Sequence, residues 1–548
     1  MRVDGPGVSG EAAPAGTHGW RWGLALASGL VSAAAFPPWD LGWAAFLGWA
    51  PLLLALRSVR GRQAAALGYA AGLTFYLATI WWVINTMTTY GRMPLALSLV
   101  ALVLLCGVLA AYTAAFAWLL AAGRDRLALP DTLVPVAAAA IWTALEFLRT
   151  FLFSGFPWAL LGYTQYRQPT VRLLAAATGV YGVSALVLLM NGALAGAAAC
   201  VFERRGNARR WRTLALHIAL VGLAAVGTLT YAWGVWRDVA GGPAIRVGVL
   251  QGNIDQAVKW DRTHQGRTLE TYERLARLAA KEQPALIVWP ETALPFFLRR
   301  EPELGPRVQA FVADVGIPML IGSPDVGSDG LLYNSAFFLG SDGGLRGRYD
   351  KRHLVPFGEY VPLQRVFFFL DKLVTGIGDF GRGRATTVFQ DGGYRFSAMI
   401  CYEVIFPAEV REFTRAGAQF LANITNDAWF GESGAPYQHL AMAAMRAVEN
   451  GSYLVRAANT GVSAVIAPTG AILAQSPLFV ETGIVGTIRL RAGETPYTRY
   501  GDVLAWGCMV FLAGYVAALL WASMAKPRAA QRRAQQGGAD DSGYRTGT

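Results

Sequence analysis

The stretch YRFSAMICYE, residues 394–403, gives the clearest indication of the fold. Its first seven residues are mostly apolar, and a short run of this kind predicts a buried strand. The strand ends directly at a thiol and a carboxylate, Cys401 and Glu403. Because the sites of α/β proteins commonly lie at the carboxyl ends of strands, this stretch predicts both a sheet and a reactive centre at its edge.

Three more segments place reactive or polar side chains at apparent strand ends or in the adjoining loops. They are Trp289-Pro290-Glu291-Thr292, Tyr349-Asp350-Lys351-Arg352 with the following His353–Pro362, and Asn426–Gly431. Each has a purely structural interpretation: a solvated carboxylate for Glu291, an ion-pair partner for Lys351, and a small core side chain for Cys401. Their occurrence together, in this order, favours a functional site.

Residues 237–502 alternate apparent strands and helices around these segments. The predicted strands are Ile245–Leu250, Ala285–Trp289, Pro318–Ser323, Tyr394–Ile400, Gln419–Ile424 and Ser463–Ala467. The predicted helices are residues 264–282 and Tyr437–Asn450, and Gly451 ends the second one. The pattern indicates an α/β domain of about 265 residues, which is large enough to bury its own core.

The composition indicates that the rest of the chain spans a membrane. Of the 548 residues 54% are hydrophobic and only 15% are charged, against about 25% charged in ordinary globular proteins. Most of the apolar runs reach the roughly 20 residues that cross a bilayer, so eight spans are predicted. The runs lie near residues 22–36, 41–56, 64–87, 94–122, 132–153, 178–202, 213–235 and 503–524. The first run, which follows Arg21, is also open to interpretation as a signal peptide.

The basic residues indicate the orientation of the spans. Residues 237–502 contain 27 Lys and Arg and 27 Asp and Glu, so the net charge of +12 lies in the apolar part and the tails. Because cytoplasmic loops are rich in Lys and Arg, the basic loops after the second, fourth, sixth and eighth runs predict that both termini are cytoplasmic. A nucleic-acid-binding protein would concentrate its charge on a folded face, so no nucleic-acid partner is expected.

The predicted parts are an N-terminal tail at 1–20, seven spans within 21–236, an extracytoplasmic catalytic domain at 237–502, an eighth span at 503–524 and a disordered cytoplasmic tail at 525–548.

Glutamate, lysine and cysteine together are typical of acyl transfer through a thioester. A carboxylate can take the proton of the thiol, and a nearby ammonium favours the thiolate. A fixed lysine and a backbone N–H can then stabilise the oxyanion of the tetrahedral intermediate. The sequence has no H-E-x-x-H motif, and the G-x-G-x-x-G match at residues 376–381 does not open a helix. Neither a metal nor a cofactor is therefore expected.

On these residues the segment 237–502 resembles the nitrilase, or carbon–nitrogen hydrolase, superfamily, whose members carry a Glu–Lys–Cys triad in an αββα sandwich. The chain as a whole resembles the apolipoprotein N-acyltransferase family of bacterial inner membranes. That wider resemblance also rests on Gly155-Phe156-Pro157-Trp158 and Leu161-Gly162-Tyr163 in the membrane part. The fold class implied is a membrane bundle of about eight helices with an extracytoplasmic α/β nitrilase-like sandwich.

The resemblance implies a role for each matching residue. Cys401 is the implied nucleophile, Glu291 the general base and Lys351 the oxyanion stabiliser. The implied supporting residues near this triad are Glu359, Glu403 and Asn334. The residues implied along the acyl or lipoprotein path are Trp260, Tyr402 and Trp429.

The reaction implied by the resemblance has two steps. The thiol takes an acyl chain from a phospholipid, typically phosphatidylethanolamine, and releases a lysophospholipid. The α-amine of the diacylglyceryl-cysteine at the N-terminus of a lipoprotein then attacks the thioester. The expected partners are therefore a phospholipid donor, a lipoprotein acceptor and the membrane, and nothing in the sequence calls for more than a monomer.

Three other functions compete with this interpretation. A membrane-tethered amidase of the nitrilase type would use the same triad with water as the acceptor. A transporter or lipid-binding scaffold with a degenerate enzyme domain is less favoured, because all three triad residues are present. A polyprenyl-sugar transferase fusion is disfavoured because the chain ends soon after the eighth apolar run.

Two further features of the sequence are relevant to lipid binding. Glu146 and Arg149 lie three residues apart in the fifth apolar run, where a charge requires a partner or a polar cavity. They are predicted to form either a local ion pair, which we favour, or a polar wall of the lipid path. The run 366–370 contains Phe367 and Phe368 in a loop of the α/β domain. We expect it to form a mobile arm that enters the bilayer and contacts lipid.

Overall fold

The computed structural model describes residues 19–202, 208–238, 241–360 and 380–540. An apolar helical part precedes and follows a domain with two β-sheets. The helices of the apolar part are α1 (Gly19–Ala34), α2 (Ala45–Gly48), α3 (Ala50–Ala55), α4 (Gly61–Ile80), α5 (Val83–Asn85), α6 (Leu95–Arg126), α7 (Val134–Arg149), α8 (Pro169–Arg172), α9 (Ala175–Phe202), α10 (Ala208–Asp238) and α16 (Val503–Asp540). Phe367 and Phe368, with the arm predicted around them, lie outside the described residues.

The number of spanning helices is lower than the eight predicted. Four helical segments of the described chain are long and apolar enough to cross a membrane: Leu95–Arg126, Ala175–Val201, Arg212–Tyr231 and Val503–Ala525. A fifth candidate is the pair Gly61–Ile80 and Val83–Tyr90, which is bent by 59°.

The three remaining apolar runs are too short or too broken to pass as single spans. Helices α1 and α7 have 16 residues each, which gives about 24 Å of helix against a hydrocarbon core of about 30 Å. The second run is divided between α2, α3 and a 3₁₀ turn. Hydropathy detected these runs correctly as apolar, but it could not detect where the helices end.

Small residues allow the membrane helices to pack closely. A Cβ on Gly72 of α4 would lie 2.7 Å from Oγ1 of Thr113 of α6, and one on Gly68 would lie 2.5 Å from the Cβ of Ala117. In a lipid environment such small residues let helix backbones approach, and dispersion contacts then hold the helices together. The closeness of α4 and α6 therefore depends on these two glycines.

Two six-stranded sheets form the domain. In the first sheet the order is β12-β1-β2-β3-β4-β5, and in the second it is β11-β10-β9-β8-β7-β6. The strands are β1 (Ala244–Gln251), β2 (Leu286–Val288), β3 (Met319–Val326), β4 (Leu332–Leu339), β5 (Leu345–Asp350), β6 (Phe389–Asp391), β7 (Tyr394–Ile400), β8 (Phe420–Thr425), β9 (Leu454–Ala458), β10 (Ala464–Ile466), β11 (Ile472–Gln475) and β12 (Thr482–Arg489). The central strands β1, β2 and β3 are parallel, as are β7, β8 and β9.

Helices cover the outer faces of the two sheets. The domain's helices are α11 (Arg262–Ala280), α12 (Leu304–Val315), α13 (Pro407–Arg415), α14 (Ala435–Asn450) and α15 (Pro496–Tyr500). Between the sheets, Phe338 packs against Phe389 and Phe396 with ring centroids 5.6 and 5.2 Å apart. On the outer face of the first sheet, Tyr272 of α11 stacks on Trp289 at 5.1 Å. The layers are therefore helix, sheet, sheet and helix, which confirms the predicted αββα sandwich.

All six predicted strands are present, and their ends shift by at most three residues. Both predicted domain helices are also present, and Gly451 ends α14 with a left-handed φ of 56°. Six strands were missed: β4, β5, β6, β9, β11 and β12. Several of them carry charged residues or glycine, so local propensity is weak and neighbouring strands decide the conformation.

Candidate active site

Cys401 lies at the point where β7 ends and a 3₁₀ turn, Cys401–Ile405, begins. Its φ is 51°, a conformation that a residue with a side chain seldom adopts and that is often found at functional sites. The side chain is buried, with 7% of its surface exposed. This sharp turn holds the thiol at the carboxyl end of the second sheet.

Glu403 holds this turn to the segment that follows Lys351. Its Oε2 accepts a hydrogen bond from the backbone N of Ile400 at 2.7 Å. Its Oε1 accepts from the Tyr349 hydroxyl at 2.7 Å and from the backbone N of Arg352 at 2.5 Å. Burial raises the pKa of Glu403 to about 7, and the hydrogen bonds oppose that rise. One carboxylate therefore connects the two loops that carry the thiol and the ammonium.

Lys351 lies between two carboxylates from other parts of the first sheet. Its Nζ is 2.9 Å from Glu359 and 3.6 Å from Oε1 of Glu291. Asn334 of β4 donates from Nδ2 to Oε1 of Glu291 at 2.7 Å and to Oε1 of Glu359 at 3.1 Å. All four side chains therefore belong to one buried cluster.

The charges of this cluster act on the thiol. Burial raises the pKa of Cys401, the carboxylate of Glu291 raises it further, and the ammonium of Lys351 opposes both effects. Burial also disfavours the charge on Lys351, but Glu359 and Glu291 together outweigh that effect and raise its pKa. The resting site therefore contains a neutral thiol beside a permanent cation and a carboxylate that can accept a proton.

A second buried network lies behind Cys401. Asp427 accepts a hydrogen bond from Arg456 at 2.7 Å, and its other oxygen is 3.1 Å from Nδ1 of His439. Burial disfavours the charge on Asp427, but Arg456 and His439 outweigh it and lower the pKa of Asp427. Burial and the neighbouring guanidinium of Arg456 lower the pKa of His439. Sequence reasoning missed both His439 and Arg456, because a lone histidine and a lone arginine carry no motif.

The residues predicted along the substrate path have different surroundings. Trp260 is half-buried in the loop after β1. Tyr402 is buried and its ring lies 5.2 Å from that of Phe406. Trp429 accepts hydrogen bonds at its backbone O from Asn85 and Thr86 of the apolar part, at 3.2 and 2.9 Å. Trp429 therefore lies at a junction between the domain and the membrane helices.

The apolar part contacts the site through the two segments noted in its sequence. Trp158 donates from Nε1 to Oε1 of Gln438 at 2.7 Å, and Trp82 donates to the same oxygen at 3.2 Å. Tyr163 donates to the backbone O of Ile405 at 3.3 Å, in the turn that begins at Cys401. The turn Cys401–Ile405 therefore packs directly on a residue of the membrane part.

The favoured prediction for Glu146 and Arg149, a local ion pair, is wrong. In the described part of the chain Glu146 accepts a hydrogen bond from the backbone N of Leu161 at 2.9 Å, and Arg149 donates to the hydroxyl of Tyr76. Because Leu161 begins the turn that holds Tyr163, Glu146 braces the segment that contacts the turn Cys401–Ile405. Helix spacing alone could not reveal this partner, which lies 15 residues away.

The two-sheet domain, with its buried cysteine, lysine and glutamates on a set of apolar helices, defines a membrane-associated member of the carbon–nitrogen hydrolase class. Residues 246–497 match the sequence profile described as carbon-nitrogen hydrolase, and residues 28–193 match the profile of the apolipoprotein N-acyltransferase N-terminal domain. The chain belongs to the apolipoprotein N-acyltransferase family.

Relatives of this family match almost the whole chain. Apolipoprotein N-acyltransferase of Geobacter metallireducens is 41% identical over 500 residues, which cover 90% of this chain and 94% of the relative. The protein of the same name from Methylococcus capsulatus is 37% identical, over 90% of this chain and 94% of the relative. Among solved structures, Nit3 of Saccharomyces cerevisiae, from the nitrilase superfamily, is 20% identical with a TM-score of 0.36, covering 46% of this chain and 92% of that one.

Proposed function

We propose that this protein transfers an acyl chain from a membrane phospholipid, through a thioester on Cys401, to the α-amine of the N-terminal diacylglyceryl-cysteine of lipoproteins. Membership of the apolipoprotein N-acyltransferase family supports N-acylation of lipoproteins. Phosphatidylethanolamine is the donor proposed. The chemistry needs no cofactor, because the acyl group is already activated as an ester and the amide product is more stable than the thioester.

The observation that carries the proposal is the state of the Glu291 carboxylate. Its Oε1 accepts from Asn334 and faces Lys351, whereas its Oε2 is buried without a hydrogen-bond partner among the described residues. A buried carboxylate oxygen without a donor is costly. It is also free to accept a proton from a thiol whose pKa its own charge raises. A buried carboxylate oxygen without a donor, whose charge acts on the thiol, supports Glu291 as the general base.

In the first half-reaction Glu291 takes the proton of the Cys401 thiol as its Sγ attacks the ester carbonyl of the phospholipid. The carbonyl oxygen becomes an oxyanion, and the ammonium of Lys351 stabilises it. The intermediate then collapses, and the C–O bond to the glycerol breaks. The leaving alkoxide receives the proton from Glu291, which yields a lysophospholipid and the thioester.

In the second half-reaction the α-amine of the lipoprotein attacks the thioester carbonyl. Glu291 takes one proton from the amine, and Lys351 again stabilises the oxyanion. The C–S bond breaks, the thiolate of Cys401 takes the proton back from Glu291, and the amide is released. Glu359 and Asn334 position the base and the ammonium, Glu403 holds the nucleophile turn, and Trp260, Tyr402 and Trp429 line the lipid path.

We also propose that the domain lies outside the cytoplasm, on the outer side of the bacterial inner membrane, with both termini in the cytoplasm. Helix α10 leads into β1, and β12 leads through α15 into α16, so the chain enters and leaves the domain through membrane helices. Arg57 follows α3, and Arg124 lies in the last turn of α6. Cytoplasmic ends are expected at both positions, because cytoplasmic loops are rich in Lys and Arg. One chain supplies all the residues of the site, so we propose that a monomer is active.

Intact-mass analysis tests the proposal. The purified protein is incubated with vesicles of phosphatidylethanolamine and no amine acceptor. We expect the mass of one acyl chain to be added, lysophospholipid to appear in equal amount, and hydroxylamine to remove the adduct. A lipopeptide with a free diacylglyceryl-cysteine amine, added afterwards, should take the acyl group.

The matched controls are Cys401→Ala, which should form no adduct, and Cys508→Ala, which should form as much as the wild type. An adduct that persists in Cys401→Ala would overturn the proposal. Release of lysophospholipid and free fatty acid without any transfer to the lipopeptide would instead indicate that water hydrolyses the thioester, and absence of both the adduct and lysophospholipid would favour the competing amidase.

A further inference from the structure

Lys259 is a buried ammonium that the triad does not explain. Only 1% of its surface is exposed. Its Nζ donates to Oγ1 of Thr292 at 2.7 Å and to the backbone O of Glu291 at 3.3 Å. Across the described chain no carboxylate oxygen lies within the 4 Å of an ion pair. Burying a charge on neutral acceptors alone is costly, so the position of this lysine calls for a functional reason.

The two acceptors belong to the turn that presents the general base. Thr292 has a φ of 45°, which is an unfavourable conformation for a β-branched residue. The turn also packs closely against β3, where a Cβ on Gly322 would lie 2.3 Å from the backbone O of Pro290 and 2.8 Å from the Cα of Glu291. The turn is therefore held both by this contact with β3 and by the ammonium of Lys259.

The loop that carries Lys259 is itself anchored at two other points. Asn459 donates from Nδ2 to the backbone O of Ile254 at 2.8 Å and accepts at Oδ1 from the backbone N of the same residue at 3.0 Å. Asn426 donates to Oε1 of Gln256 at 2.7 Å. The loop is therefore fixed to residues that follow strands of the second sheet. Through Lys259 it contacts the turn that carries the base, which follows a strand of the first sheet.

We propose that Lys259 is a positioning residue whose ammonium holds the Glu291–Thr292 turn so that the free carboxylate oxygen of Glu291 faces the thiol of Cys401. The inference rests on the proposed function, because it assigns a role in the proton transfers of both half-reactions. Lys259 is distinct from Lys351, which faces the carboxylate itself and not the backbone of the turn.

The test measures single-turnover release of lysophospholipid from phosphatidylethanolamine vesicles by the full-length protein. We expect Lys259→Met to slow acylation by about 10²-fold, the effect of a displacement of about 1 Å at a reacting centre. The KM for the phospholipid should stay unchanged, because Lys259 does not contact the donor. The control is Lys281→Met, an exposed lysine of the same domain, which should behave as the wild type.

Two substitutions at Thr292 test the same proposal without relying on Lys259→Met alone. Thr292→Val deletes the hydroxyl acceptor and keeps the shape, so it should slow acylation by about five- to tenfold, the effect of one lost hydrogen bond. Thr292→Ser should retain most of the rate. If Lys259 acts through this hydroxyl, the double variant Lys259→Met/Thr292→Val should be no slower than Lys259→Met alone.

The pH profile separates positioning by charge from simple packing. Burial lowers the pKa of Lys259 to about 8, and the charge of Glu291, the ionised group that acts on it, opposes this. The ammonium is thus present below pH 8 and lost above it, so the wild-type rate should fall towards that of Lys259→Met as the pH rises from 7 to 10. Parallel profiles of the two proteins over this range, or a Lys259→Met rate within twofold of the wild type, would overturn the inference. Absence of any adduct in the wild type would instead overturn the proposed function.

Discussion

Replacing Lys351 by methionine should remove the proposed oxyanion stabiliser and leave two carboxylates buried without their cation. At the observed separations of 3.6 Å from Glu291 and 2.9 Å from Glu359, each attraction is on the order of 5 kcal/mol at an effective dielectric constant of about 20. Desolvation offsets part of this energy. Removing one partner of a buried ion pair nevertheless costs about 3–5 kcal/mol of stability.

The expected loss of activity comes from a different source than the loss of stability. A single oxyanion donor contributes about 10²–10³ in rate, so acyl-adduct formation on Cys401 should slow by at least that factor in Lys351→Met. The assay is the time course of the adduct by intact mass, with thermal unfolding in detergent measured on the same samples. The exposed Lys281→Met serves as the matched control.

A second substitution distinguishes the two effects. Lys351→Met/Glu359→Gln removes one of the two uncompensated charges and should recover about half of the lost stability. It should not recover the rate, because no cation faces the oxyanion. A Lys351→Met enzyme within tenfold of the wild-type rate, or a double variant with a restored rate, would refute the assigned role.

Three further predictions concern the thiol, the turn that follows it and the contact with the membrane part. Because the pKa of Cys401 is raised, its alkylation by iodoacetamide at pH 8 should be at least about tenfold slower than that of free cysteine, whose thiol has a pKa of about 8.5. An equal rate would contradict the prediction that the thiol of Cys401 is buried and neutral. Glu403→Gln replaces an acceptor of four hydrogen bonds. It should lower the free energy of unfolding by about 1–3 kcal/mol and slow adduct formation. An unchanged adduct time course would argue against the role of Glu403 in holding the turn at Cys401. Gln438→Leu leaves the indole N–H groups of Trp82 and Trp158 buried without an acceptor and should cost about 1–3 kcal/mol for each. An unfolding temperature equal to that of the wild type would contradict the prediction.

Much of the domain could be predicted from local patterns. The strand that ends at Cys401 was placed at its observed bounds, Tyr394–Ile400, because an apolar run bounded by turn residues has few other conformations. The strand β5 was missed, because its residues are largely charged and only pairing with β4 makes it a strand. The types of residue in the triad were also predicted, and their catalytic roles remain predictions.

The membrane part was predicted less well, for a physical reason. Hydropathy measures how apolar a run is, whereas the length of a helix depends on where proline, glycine and tertiary contacts end it. Pro37 directly follows the first apolar run, Pro51 lies within the second at the start of α3, and in the fifth run α7 ends at Arg149, before Gly155 with its φ of 86°. Of the eight expected spans, four helices of the described chain, or five with the bent pair, are therefore long and apolar enough to cross a membrane.

The two-part composition, the central strands of the domain and the reactive residue types at their ends can be read from the sequence alone, because they follow from local hydrophobicity and chemistry. Which polar groups meet depends instead on how the elements pack. Gln438 accepts from Trp82 and Trp158 and donates to the backbone of Pro37, partners 280 to 401 residues away. Lys259 reaches Thr292 across 33 residues. Hydrogen-bond partners at such separations are selected by the packing of whole elements, since any buried donor must find whichever acceptor the fold brings beside it.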